Sequence, residues 1–235
     1  WTSTPITNSP PVAEAGINYT IPKGTAFVLR GSATDANPGD ILTYCWEQID
    51  SGVSTNTTFG PNLATGPVWR SRMPSLSPNR YMPIFSRVLA GQLTQTNPTI
   101  TANNSSWETV SNVARNLNFG LTVRDRSEAN GTGQSPQTSY DTMLVTVNGT
   151  AGPFTVTSQN SNVLWNVGTS QTVTWNVAGT DIAPVSTPTV NILLSINGGL
   201  TFPFTLATNV PNNGSRTITV PVIGGDTAQA RLIVE

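Results

Sequence analysis

The chain has 235 residues, of which only 10% are charged, with a formal net charge of −1, 20 Gly and 18 Pro. So even a balance, with no Lys/Arg cluster, leaves no electrostatic footprint for nucleic acid, and no apolar run approaches the length of a membrane span. The length suffices for one large or two ordinary β domains, and abundant Thr, Ser, Asn, Gly and Pro match the composition of an extracellular β-sandwich protein, whose strands favour Thr and Val and whose many turns take up Gly, Pro and Asn.

Along the chain, Phe27 and Leu29 alternate before a polar stretch, and Leu42, Tyr44 and Trp46 alternate after it, the period-2 pattern of strands with one buried face. Between them Asp35, Asn37 and Asp40 share one loop with Gly39. Oxygen-bearing side chains at this spacing suit a hard cation such as calcium, and they are equally ordinary turn chemistry. Cys45 is the only cysteine, so no internal disulfide can form. Flanked by Tyr44 and Trp46, it reads as a buried thiol with no histidine to activate it.

A segment from about Ser51 to Asn118 is too long for a hairpin connection. Within it RYMPIFSRVLAG offers Tyr81, Phe85, Val88 and Leu89 as the apolar face of a helical turn or two. Arg70, Arg72, Arg80, Arg87 and Arg115 lie here beside Trp69, Tyr81 and Trp107. Such a set builds either a ligand surface by stacking and bidentate hydrogen bonds, or pins that fasten the insert through carboxylates and backbone carbonyls. The second use is the commoner one. Phe119, Leu121 and Val123 then form a strand ending at Arg124 and Asp125, and Met143, Val145 and Val147 form another.

GTAGP at 149 to 153 reads as a short linker. Beyond it Val173, Trp175 and Val177 alternate, as do Val190, Ile192, Leu194 and Ile196, and Asn197-Gly198-Gly199 is a hairpin or bulge signal. Short strands at this spacing predict a second, Ig-like or fibronectin-like sandwich over 153 to 235, with Trp175 in its core and Trp165 over a sheet end. The expected fold is therefore all-β: two consecutive sandwiches, the first spanning 8 to 148 with its insert at about 51 to 118. Asp181 and Asp226 read as solvated turn carboxylates.

The chain contains no histidine. Zinc proteases and His-dependent triads need one, so any such active site lies outside this sequence. Trp1 is not preceded by a charged and apolar leader, which leads to the expectation that an export signal was removed or belongs to a larger precursor.

The blocks NSPPVAEAG, YTIPKGTAFVLRGSATDANPGDILTYCWEQID, GPVWRSRMPSLSPNRYMPIFSRVLAGQLT and SSWETVSNVARNLNFGLTVRDRS occur in that order over most of residues 8 to 148. This arrangement resembles the cadherin-like or PKD-like module that follows the catalytic domain in secreted reprolysin-like zinc metalloproteases of Bacteroidetes. The unit from Phe154 onward resembles the Ig-like domain that follows in the same proteases, whose members continue with one more strand. The family loop commonly reads Asp-x-Asp-Gly-Asp, and here Asn37 and Pro38 interrupt it.

The resemblance implies a non-catalytic accessory region, secreted or on the cell surface, acting as spacer, stabiliser or targeting module. Its partner would be the catalytic domain of the same precursor, exported by the type IX route. It implies that Asp125 lies near the acidic loop, so that a Ca2+ site would draw on Asp35, Asn37, Asp40, Asp125 and Glu14. The alternative is an adhesin that binds extracellular polysaccharide or a fibrous protein through Trp69, Tyr81 and Trp107. Paired carboxylates such as Asp35 and Asp125 also occur in glycosidases, although here they lie in loops of calcium-binding type. Sequon-like triplets and the Bacteroidetes-type patterns Asp141-Thr142-Met143 and Asp226-Thr227-Ala228 are candidate glycosylation sites.

Overall fold

The computed structural model describes residues 8–99, 107–126 and 136–235. Two of the sequon-like triplets, beginning at Asn103 and Asn104, lie outside them, as does the one at Asn130. Among the described residues the protein is all-β, with one five-residue helix. It divides into two compact units, one holding the chain up to Ile21 and from Ala26 to Val147, the other Pro22–Thr25 with Asn148–Glu235.

In the first unit β1 is Val12–Glu14, β2 Tyr19–Pro22, β3 Phe27–Arg30, β4 Ser32–Thr34, β5 Ile41–Gln48, β6 Asn79–Met82, β7 Arg115–Arg126 and β8 Thr138–Asn148, with α1 at Phe85–Leu89. A four-stranded sheet runs β2-β8-β7-β5, and β1-β4 and β3-β6 form two-stranded ribbons. Alternation along β7 places Leu117, Phe119, Leu121 and Val123 in the core with Met143, Val145 and Val147 of β8, Trp46, Leu29 and Met82. Close packing governs Gly31, where an added Cβ would stand 2.6 Å from Leu121 Cδ2 and 3.0 Å from Trp46 Cζ2.

The predicted insert is part of this core, since Phe59, Val68, Trp69 and Val110 all pack into it. Its arginines fasten it. Fully buried Glu108 accepts from Arg72 Nε at 3.0 Å and Arg80 Nη2 at 2.9 Å through Oε1, and from the Ile84 amide at 2.9 Å through Oε2. Arg80 also donates to the Trp46 carbonyl, and Arg115 to those of Leu63 and Gly66. Burial pulls the Arg80 guanidinium down from its ordinary range while Glu108 holds it up. One correction concerns Tyr81, expected on a helical face: it lies in β6 paired with Val28, and α1 starts only at Phe85. Pairing with β3 outweighs a weak helical pattern that Pro83 cuts short.

β5 is covered on both faces. Trp46 points into the core, while buried Cys45 offers its thiol to the Arg72 carbonyl at 3.4 Å and Tyr44 pairs through its backbone with Ser75. Burial, followed by the charge of Glu47, pushes the Cys45 thiol above its ordinary range.

In the second unit β9 is Thr155–Val156, β10 Ser170–Asn176, β11 Thr189–Ser195, β12 Phe204–Pro211, β13 Ser215–Thr219 and β14 Arg231–Val234. They form two three-stranded sheets, β13-β10-β9 and β12-β11-β14. Val173, Trp175, Val190, Ile192, Val210, Ile218, Val220 and Val234 make the core, with Trp165 packed against it. The Trp175 indole N–H donates to Asn212 Oδ1 at 2.8 Å, and Asn212 Nδ2 donates in turn to Thr180 Oγ1 and the Thr187 carbonyl, so a buried polar group is fully used. Within this unit Ala151 is buried, its carbonyl accepts from the Lys23 amide, and the Gly152 amide donates to the Ala178 carbonyl.

Candidate metal centre

Antiparallel pairing of β5 with β7 puts Leu42 opposite Asp125, so the loop entering β5 meets the end of β7. The Asp35 carboxylate accepts the Asn37 amide at 2.7 Å, an Asx-type turn. Pro38 and Gly39 follow as the central residues of a β-turn in which the Asp40 amide donates to the Asn37 carbonyl at 3.3 Å. Gly39 has φ +102°, as the third residue of a type II turn demands. Asn37 and Pro38 thus build the turn that carries Asp40 back toward Asp35.

The outcome is a cluster of three carboxylates. Asp35, Asp40 and Asp125 each present an oxygen within 4.8 Å of the others. Asp125 is fully buried, and its oxygens accept from Asn8 Nδ2 at 2.7 Å and from the Gln137 amide at 2.5 Å. Asp35 Oδ2 and Asp40 Oδ2 are shielded from solvent and have no hydrogen-bond partner. Desolvation, then the charges of Asp35 and Asp125, pushes the Asp40 carboxyl above the usual carboxylate range. Three converging carboxylates, two with an unsatisfied oxygen, are an arrangement that a hard cation with oxygen ligands relieves.

The other residues named from sequence fall elsewhere. Asn37 sits beside the cluster, but its side-chain oxygen accepts the Ser9 amide at 2.8 Å. Glu14 is corrected: it stands outside the cluster, exposed on β1, with Oε1 accepting the Gly16 amide at 3.0 Å. The aromatic surface is also corrected. Trp69 is 3% exposed and packs edge-on to Phe27 at 5.6 Å between ring centroids. Trp107 is half-buried against Phe59 at 5.1 Å, and Tyr81 is half-buried beside Phe85 at 4.7 Å. Trp69 belongs to the core and Trp107 packs against it, so the three rings do not form one exposed platform. Of the glycosylation candidates, Asp141 accepts the Ala15 amide at 2.7 Å next to exposed Thr142, and the Thr227 hydroxyl donates to the Ile196 carbonyl at 3.1 Å.

Asn8 and Gln137 are not legible as parts of the site, since their contacts to Asp125 span 117 and 12 residues of sequence. Glu108 was likewise a lone acid in an irregular stretch. The fold and the cluster define a class: an all-β protein with a cluster of three carboxylates where the loop before β5 meets the end of β7. Comparison with protein-family models, curated proteins and solved structures gives no match for the chain. Among the described residues no helix is long and apolar enough to cross a membrane.

Proposed function

We propose that the chain is a non-catalytic accessory region of a secreted enzyme, its β units serving as spacer and stabiliser, with a calcium ion stiffening the first. The resemblance of the blocks between residues 8 and 148 points to a zinc metalloprotease, whose catalytic domain in the same precursor is the region's partner. With no histidine in the chain, neither a zinc-protease centre nor a His-dependent triad can be assembled from it.

The observation that carries the calcium reading is the pair of buried, unpartnered oxygens on Asp35 and Asp40 beside buried Asp125. Asp35, Asp40 and Asp125 would hold the ion, and an all-oxygen donor set without His or Cys favours a hard cation over zinc or copper. When bound, the ion neutralises the cluster and ties the β4–β5 loop to the end of β7. The adhesin alternative draws less support, because the aromatics it relied on are packed against their neighbours.

The test is thermal unfolding of the chelator-stripped protein with increasing calcium. A ligand that binds only the folded state adds about 2.7 kcal/mol at 100 times its Kd, so the melting temperature rises with calcium. An unchanged melting temperature removes the ion from the account.

A further inference from the structure

The cluster and its partners come from four stretches of chain, Asn8 with Ser9, the Asp35–Asp40 loop, Asp125 and Gln137, of which only Asp125 lies in a strand. Asn8 Nδ2 donates to Asp125 Oδ2, the Gln137 amide donates to Asp125 Oδ1, and Gln137 Nε2 donates to the Asn8 carbonyl. These three bonds close a ring around the buried carboxylate. The Ser9 amide meanwhile donates to Asn37 Oδ1 in the acidic loop. Asn8 and Ser9 are thus held from two sides, by the end of β7 and by the loop between β4 and β5.

We propose that cation binding and the docking of Asn8 and Ser9 are coupled: an ion on Asp35, Asp40 and Asp125 latches this segment to the sandwich, and its loss releases it. The proposal rests on the calcium reading above. Without an ion the carboxylates repel one another across a poorly solvated gap. The Asp35–Asp40 loop relaxes by moving away, and Asn37 moves with it, so the Ser9 bond is lost. The segment then keeps the ring on Asp125 but loses its bond to the loop. Linkage makes the coupling reciprocal, so whatever weakens the ring weakens the ion by the same factor.

Asn8 and Gln137 are therefore positioning residues for the site, although neither supplies a carboxylate. A purely structural role would let both be truncated with calcium affinity unchanged.

The experiment pairs calcium calorimetry with amide exchange of Ser9 followed by NMR, on the wild type, Asn8→Ala and Gln137→Ala. Gln137→Ala removes one side-chain bond and keeps the backbone bond to Asp125, so it remains informative if Asn8→Ala folds poorly. Coupling of the usual size predicts that calcium slows Ser9 exchange by about 5-fold or more in the wild type, and that Asn8→Ala binds calcium weaker by a similar factor. Gln137→Ala shifts both in the same direction by less. Calcium binding with Ser9 exchange unchanged, or with wild-type affinity in both variants, overturns the latch and leaves the ion site standing. Absence of calcium binding in the wild type overturns the ion site, and the latch falls with it.

Discussion

Leu42 and Asp125 face each other across the β5–β7 ladder, and this single register fixes where the acidic loop meets the sheet. Asp40 lies two residues before Leu42, so any slip in pairing would carry its carboxylate away from Asp125. One residue of slip would also turn the buried side chains of β7 outward. The same pairing that builds the core therefore aligns the site.

The site carries its own pH dependence. Asp40 has a raised folded-state pKa, so the folded protein binds its proton more tightly than the unfolded chain does. Without calcium, stability contributed by this group is greatest below its unfolded pKa and is lost as pH rises through the folded value. In chelator, Asp40→Asn should therefore be more stable than the wild type near neutral pH, with the difference vanishing under acid conditions. In calcium the order should reverse at neutral pH. Melting temperatures of both proteins from pH 4 to 8, with and without calcium, measure this.

Glu108 holds the insert. Its carboxylate is fully buried between Arg72, Arg80 and the Ile84 amide. Glu108→Gln keeps the shape but leaves the Arg80 charge buried without its counter-charge, and should cost about 3 to 5 kcal/mol in urea unfolding. A loss below about 1 kcal/mol would mean that Arg80 finds water or another acceptor.

Two glycines separate a close contact inside the core from one against a side chain that can yield. Gly31→Ala would press a methyl on Leu121 and Trp46 in the core, an overpacking costing about 1 to 3 kcal/mol. Gly120→Ala meets the Tyr140 ring at 2.5 Å, but that ring is 55% exposed and can swing aside. The first variant should melt well below the second.

In the second unit, Trp175→Phe keeps an aromatic ring in the core and removes the indole donor to Asn212. Asn212 Oδ1 is then left buried without this bond, and the unit should lose about 1 to 3 kcal/mol by denaturant unfolding. Asn212→Leu should cost more by the same measurement, since it also removes the donor to Thr180 Oγ1 and to the Thr187 carbonyl.

Period-2 patterning made β5, β7, β8, β10 and β11 readable, and short spacing made the Asp35–Asp40 loop readable. What could not be read depends on contacts between distant residues. Tyr81 followed its β3 partner into a strand because ladder hydrogen bonds outweigh a two-turn helical pattern. Glu14 looked eligible as an acid near the loop, but its β1 position turns it to solvent. Trp69 and Trp107 looked like a surface because nothing local marks the insert as part of the core. The roles of Asn8, Gln137 and Glu108 rest on partners distant in sequence, and only the assembled fold gives them.

The most direct measurement is calorimetric titration of the chelator-stripped protein with calcium, alongside the double variant Asp35→Asn, Asp40→Asn. The account predicts one ion bound per chain and no binding by the double variant when both fold. No binding heat in the wild type at any calcium concentration that leaves it folded, or equal binding by the double variant, would contradict it.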